Sequence, residues 1–337
     1  MKALLLRSPA PLSARPQPLE WSELPLPDPG PGQVRLRVIA CAICHTDLHI
    51  VEGELVPPVL PIVPGHQIVG TVDALGRGVR TPREGDRVGV GWLAWADGVC
   101  AYCRTGRENL CERARFTGFD VPGGYGEATV ADAGFVYGLP ARYPAHEAAP
   151  LLCAGIIGYR SLRQAEVRPG DRVGLFGFGA SAHLAIQVAR HWGCEVYVFT
   201  RSDAHRQLAR ELGAAWAGGV EDAPPEKVDR GIVFAPSGRV LVAALEHLER
   251  GGTLAVNAIH MDRIPEFPYE RLYWERTLRS VANATRRDAE EFLALAAEVS
   301  LRVSTSEVRP EDANGALSAL KRGEIQGAAV LRFSSGP

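Results

Sequence analysis

Arg172-Val-Gly-Leu-Phe-Gly177-Phe-Gly179-Ala-Ser-Ala182-His-Leu-Ala-Ile-Gln-Val-Ala-Arg-His-Trp192 is the stretch whose reading decides the fold. Residues 172–176 form an apolar run of strand character, residues 180–192 carry a helical pattern, and a G-x-G-x-x-A loop joins them. Gly177 permits the tight turn and Gly179 lets the backbone approach a pyrophosphate. Small Ala182 lets helix and strand pack closely, so phosphate oxygens meet free N–H groups at the helix N-terminus. A second strand at 195–200 follows directly. Working outward, a helix is expected at 203–212, a strand at 229–235, a helix at 239–250, a strand at 253–258 and a last strand at 278–282. Strand and helix in regular succession predict an α/β fold with a doubly wound parallel sheet of the Rossmann type. Beyond it, Asp288 and Glu291 read as a capping box for a helix with Phe292, Leu295, Ala296 and Val299 on its apolar face.

Upstream the texture differs. The first 150 residues are rich in Pro and Gly and carry short runs of strand character at 34–39, 68–72 and 87–90, which predicts an irregular, mostly β domain. A chain of 337 residues with 46% hydrophobic and 23% charged residues can bury two cores, which excludes a disordered or fibrous protein. Lys plus Arg number 37 against 39 Asp plus Glu, a net charge of -2 with no long run of one sign, so nothing calls for nucleic acid or an anionic membrane. The longest uncharged stretch, 173–189, is broken by three glycines, Ser181, His183 and Gln187, and does not read as a membrane span. Arg7 closes the short apolar start, which leaves no signal-peptide stretch. With seven cysteines too sparse for a disulfide scaffold, a cytoplasmic protein with reduced thiols is expected.

The end of the second strand carries the cofactor preference. An Asp or Glu there would hold the ribose 2'-hydroxyl of NAD, but this chain has Thr200-Arg201-Ser202. A guanidinium and hydroxyls suit a 2'-phosphate, so NADP is favoured over NAD; the other reading leaves Arg201 a solvated surface residue. Two cysteine groupings remain. Cys100-x2-Cys103-x7-Cys111 is a compact knuckle whose three thiolates suit zinc, and Asp97 can supply a fourth ligand. Cys44-His45-Thr46-Asp47-Leu48-His49, Gly65-His66 and Cys153 are far apart, and spacing alone does not join them; Cys41 and Cys44 also make a C-x-x-C of redox type.

In this order, these residues resemble the zinc-dependent alcohol dehydrogenases of the medium-chain dehydrogenase/reductase superfamily, and the likeness covers essentially the whole chain. It implies a GroES-like catalytic domain over 1–153 and 287–337 and a dinucleotide-binding Rossmann domain over 154–286. Cys44, His66 and Cys153 match the catalytic-zinc ligands; Asp97, Cys100, Cys103 and Cys111 match the structural-zinc lobe, with Asp97 where a cysteine is usual. Gly177, Gly179 and Ala182 match the dinucleotide loop. Thr46 matches the first proton carrier, His49 an outer base, Asp47 the carboxylate that orients His66, and His45 a basic position near the pyrophosphate. Trp92 matches a substrate-pocket aromatic and Trp95 is near it, which favours flat or unbranched primary alcohols. Gln67 replaces a usual Glu behind the catalytic metal. The resemblance implies reversible hydride transfer between an alcohol and a nicotinamide cofactor, in a homodimer or homotetramer. Alternatives are a polyol or amino-alcohol dehydrogenase of the same superfamily and a non-catalytic nucleotide-binding sensor of the same fold.

Overall fold

A computed structural model describes residues 1–333, and the chain divides into two compact units. One comprises Met1–Cys153, Asn283–Glu298 and Val303–Pro337; the other comprises Ala154–Ala282 and Val299–Arg302.

The second unit is built on six strands, all parallel, in the order Trp216–Gly218, Glu195–Phe199, Arg172–Phe176, Val228–Val233, Leu248–Val256, Thr277–Ser280. Numbered along the chain this is 3-2-1-4-5-6, the doubly wound order. Its direction reverses beside Arg172–Phe176, where such sheets bind ligands at the carboxyl ends of their strands. Val173, Leu175, Phe176, Val196, Val198 and Phe199 are buried, and the rings of Phe176 and Phe199 stack 4.3 Å apart across neighbouring strands. Helix Ala180–His191 buries Leu184, Ala185, Ile186, Val188 and Ala189. Several bounds differ from expectation, among them the strand expected at 253–258, which runs Leu248–Val256. The helix expected at 239–250 ends at His247, because Leu248 already pairs with Val228 in the sheet. The last strand is Thr277–Ser280, and Trp216–Gly218 is a strand that the sequence reading omits. Three residues are too few to show an alternation.

The first unit is a mixed seven-stranded sheet whose hub is Gln33–Ala42. That strand alternates between buried and more exposed positions, as one covered face demands, and pairs antiparallel with Gln67–Leu75, Ala128–Asp132 and Ala328–Arg332. Its pairing with Gln67–Leu75 ends at Ala42 opposite Gln67. This register brings together two segments that are remote in sequence: Cys44 lies two residues past the end of one strand, and His66 immediately precedes the other. Helix Arg286–Glu298 belongs to this unit and buries Ala289, Phe292, Leu293 and Ala296. Its cap lies three residues earlier than expected. Thr285 Oγ1 accepts from the Asp288 N–H at 3.1 Å while Asp288 accepts from the Thr285 N–H at 2.9 Å, so Asp288 closes a box with Thr285 and not with Glu291. Leu295 and Val299 are only half-buried.

Candidate metal and cofactor sites

Helix His45–Glu52 starts at Cys44, and its cap shapes the site. Cys44 Sγ accepts from the Thr46 N–H at 3.3 Å, and Asp47 Oδ2 accepts from the Cys44 N–H at 2.9 Å, a capping box in which a thiol replaces the usual hydroxyl. With Oδ2 so engaged, the other oxygen of the fully buried Asp47 stands 3.2 Å from Nδ1 of the equally buried His66. The far ring nitrogen, Nε2, is 3.3 Å from Cys44 Sγ. Cys153 enters from a π-helical turn, Leu151–Gly155, that follows helix Ala145–Pro150; such turns recur at functional sites. One ligand atom each from Cys44, His66 and Cys153 lies within 4.8 Å of the others.

The electrostatics are those of a soft cation site. A hydrogen bond from the Cys153 thiol, and after it the His66 ring, holds the Cys44 thiol well below its ordinary pKa despite burial. The same hydrogen bond, with burial, pushes the Cys153 thiol well above its own. Burial would lower His66, but the Cys44 thiolate and the Asp47 carboxylate outweigh it and push the imidazole up to about 10. Two half-buried cysteine sulfurs and a buried imidazole, drawn together, form a donor set that fits zinc, and three protein ligands is the number that catalytic zinc sites use.

A second cluster lies in the loop between paired strands Leu93–Trp95 and Arg115–Phe116. Asp97 Oδ1 accepts from the N–H groups of Val99 and Cys100, each at 2.9 Å, and Cys100 Sγ accepts from the Cys103 N–H at 3.4 Å. Those backbone donors hold the Asp97 carboxyl well below the usual carboxylate range. Ligand atoms of Asp97, Cys100, Cys103 and Cys111 fall within 4.8 Å of one another, a four-donor set of the closed, structural kind. Cys41 and Cys194 belong to neither cluster, and all seven cysteines are free thiols.

Around the first cluster, Thr46 is half-buried and His45 exposed. His49, in the last turn of the same helix, contacts the Glu54 carboxylate, a neighbour the sequence reading omits. Trp92 meets the edge of His66 at a 4.9 Å ring separation and stacks on Phe116 at 5.0 Å, with Phe119 at 6.0 Å. Its indole N–H donates to Asn283 Oδ1 at 3.1 Å. Phe116, Phe119 and Asn283 join the candidate site through these contacts alone. Trp95 is elsewhere: it lies under the Arg115 guanidinium at 5.7 Å and lines a separate cavity with Thr117 and Phe135, to which none of Cys44, His66 and Cys153 contributes.

In the other unit, Gly177 has φ +98°, and a Cβ there would lie 2.8 Å from the Ala235 nitrogen, so only glycine makes this turn. Gly179 precedes helix Ala180–His191 with no side-chain cap, and open space faces its α-carbon. The helix therefore presents uncapped N–H groups, as a pyrophosphate site requires. Ala182 is fully buried. Thr200 is buried at the end of its strand and Arg201 is exposed, while Ser202 Oγ accepts from the His205 N–H at 3.3 Å and so caps helix Asp203–Glu211. Arg206, which the sequence reading passes over, donates to the Thr200 carbonyl at 2.9 Å and adds a second guanidinium here.

A glycine loop on a doubly wound sheet, with a soft three-donor cluster in a second unit, makes up the equipment of a metal-assisted nicotinamide dehydrogenase. The family profile of the alcohol dehydrogenase GroES-like domain matches residues 30–141, and that of the zinc-binding dehydrogenases matches residues 182–298. The probable alcohol dehydrogenase of Mycobacterium tuberculosis is 46% identical over 98% of this chain and 97% of its own. An alcohol dehydrogenase of Rhizobium meliloti is 37% identical over 94% and 95%. Among solved structures, a cinnamyl alcohol dehydrogenase of Sorghum bicolor superposes with a TM-score of 0.89 at 26% identity, covering 100% of this chain and 98% of that one. The chain belongs to the zinc-type alcohol dehydrogenases of the medium-chain dehydrogenase/reductase superfamily. Its reaction class is NAD(P)-linked interconversion of small alcohols and their carbonyl partners. Among the described residues, no helix is long and apolar enough to cross a membrane.

Proposed function

We propose that the protein is a zinc-dependent dehydrogenase interconverting primary alcohols, aromatic ones included, with their aldehydes, and preferring NADP(H) to NAD(H). The convergence of Cys44, His66 and Cys153 carries this reading. Zinc bound by these three residues supplies Lewis acidity that lowers the pKa of an alcohol. A nicotinamide cofactor, held at the N–H groups that follow Gly179, would supply the hydride acceptor or donor. Asp47 fixes the Nδ1–H form of His66 so that Nε2 faces the ligand sulfurs. Thr46 takes the alcohol proton, and His49, with Glu54 beside it, exchanges protons with solvent. Trp92, braced by Phe116 and Asn283, forms a flat wall at the His66 edge, which suits planar or unbranched substrates. Trp95, away from the ligands, is not part of that wall. Asp97, Cys100, Cys103 and Cys111 hold a second, structural zinc.

For the cofactor, the N–H groups following Gly179 would receive the pyrophosphate. The absence of a carboxylate at the end of strand Glu195–Phe199, together with the exposed Arg201 guanidinium that follows, supports recognition of a 2'-phosphate. Ser202 is committed to a helix cap, which leaves the guanidiniums as the main discriminators. Seven unpaired thiols fit a reducing, cytoplasmic setting, and a homodimer or homotetramer is the proposed assembly. Rates of benzyl alcohol oxidation with NADP+ and NAD+ test the cofactor reading. Arg201→Asp should lower the NADP+/NAD+ ratio by about tenfold or more, the factor that 1.4 kcal/mol of lost charge pairing represents. An unchanged ratio refutes the preference.

A further inference from the structure

The roles assigned so far leave the buried hydroxyl of Tyr125 without a task. This residue is wholly buried. Its own N–H donates to the Pro64 carbonyl at 3.0 Å and its carbonyl accepts from the Leu4 N–H at 2.8 Å, so its backbone is clamped to the segment that ends in His66. Its ring fills the space a side chain on Gly65 would need: a Cβ there would lie 2.2 Å from Tyr125 Cδ1. Gly65 adopts φ +93°, so the residue just before the ligand is a glycine on both steric and conformational grounds.

After burial, the Asp47 carboxylate is the group that acts most strongly on the Tyr125 phenol, holding its pKa well above the ordinary value. Like Asp47 Oδ1 and His66 Nδ1, which are 3.2 Å apart, its oxygen is buried without a hydrogen-bond partner. Burying a hydroxyl without a partner is costly, and phenylalanine would fill the same space without that cost. Packing therefore accounts for the ring and not for the oxygen. Burial, and after it the negative charge of Asp47, raise the pKa of the phenol, so it stays protonated and can only donate toward the carboxylate.

We propose that Tyr125 is a positioning residue of the metal site: its hydroxyl donates to Asp47 and so fixes the carboxylate that holds His66 with Nε2 beside Cys44. The chain of contacts is Tyr125 hydroxyl, Asp47 carboxylate, His66 imidazole, metal. It rests on the reading of Cys44, His66 and Cys153 as zinc ligands. Outer partners of metal-bound histidines are worth about 10- to 100-fold in metal affinity, and Tyr125 acts one step further out, so its share is at the lower end of that range.

The test is a double-mutant cycle on zinc affinity, measured by chelator competition on the full chain for wild type, Tyr125→Phe, Asp47→Asn and the double variant, with Cys153→Ala as the ligand control. Thermal midpoints of the metal-free proteins are recorded alongside. Tyr125→Phe should weaken the tight site by about tenfold, add no further loss in the Asp47→Asn background, and leave the metal-free midpoint equal or higher. Wild-type affinity in Tyr125→Phe, the same loss with and without Asp47, or a matching fall in the metal-free midpoint would each overturn the proposal. If wild type and Cys153→Ala bind zinc alike, the cluster is not the metal site, and the functional reading falls along with this one.

Discussion

His183 makes the acid stability of the nucleotide-binding unit predictable in both sign and size. It lies in the first turns of helix Ala180–His191, only 2% exposed, and its Nε2 lacks a hydrogen-bond partner. Burial, reinforced by the charge of Arg302 and by His205, lowers its pKa to about 4 even though hydrogen bonds to the Ala180 and Gly179 carbonyls favour the charged ring. An unfolded histidine titrates near 6.5. Between these values the unfolded chain binds a proton that the folded chain refuses, so stability falls as pH drops below about 6.5 and this contribution levels off below about 4. A shift of about 2.5 units at 1.36 kcal/mol per unit is about 3 kcal/mol, a large share of a domain's stability. Urea unfolding of wild type and His183→Gln at half-unit steps from pH 7.5 to 4 measures it, followed by tryptophan fluorescence. The difference in unfolding free energy between the two proteins should change by about 3 kcal/mol across that range and be flat above pH 7. A pH-independent difference would show that His183 titrates normally in the folded state and would refute the argument.

Two further outcomes follow from the site. In the metal-free cluster near neutral pH, His66 and Cys153 hold their protons while Cys44 is the favoured thiolate, so zinc must displace about two protons. Apparent zinc affinity, read as activity regained against a competing chelator, should rise about 100-fold per pH unit between pH 6.5 and 7.5; a slope near zero contradicts that protonation pattern. Trp92→Ala removes the wall against His66 and Phe116, and should raise KM for benzyl alcohol by about tenfold while improving branched secondary alcohols relative to primary ones. Equal losses for both classes would place Trp92 in the core and not in the pocket.

The legibility of the fold follows the range of the interactions. The glycine loop, its strand and its helix are local, so residues 172–192 carry both their own structure and their ligand chemistry. Trp216–Gly218 is held by pairing with Tyr197–Phe199, and nothing within three residues announces it. The helix cap near residue 288 was displaced because Asp288 can serve either as a cap or as the partner of one, and Thr285 decides the matter. The metal cluster shows the same division. Cys100, Cys103 and Cys111 are close in sequence and legible as ligands, whereas Cys44 and His66 meet only through the Ala42–Gln67 register, and Cys153 arrives from a separate turn. Family resemblance bridged that gap where spacing could not. It did not reach Asn283 on Trp92, Glu54 on His49 or the Tyr125 ring against Gly65, which are contacts of this chain's own side chains.

The central claim is that Cys44, His66 and Cys153 hold the metal on which turnover depends. Zinc per chain and NADP+-linked oxidation of benzyl alcohol, measured on one preparation before chelation, after it and after zinc is restored, test it most directly. The account predicts about two zinc ions per chain, activity that disappears with the metal and returns with it, and a Cys153→Ala chain that keeps the lobe's zinc but neither the second ion nor the activity. Full turnover in a chain stripped of zinc would contradict it.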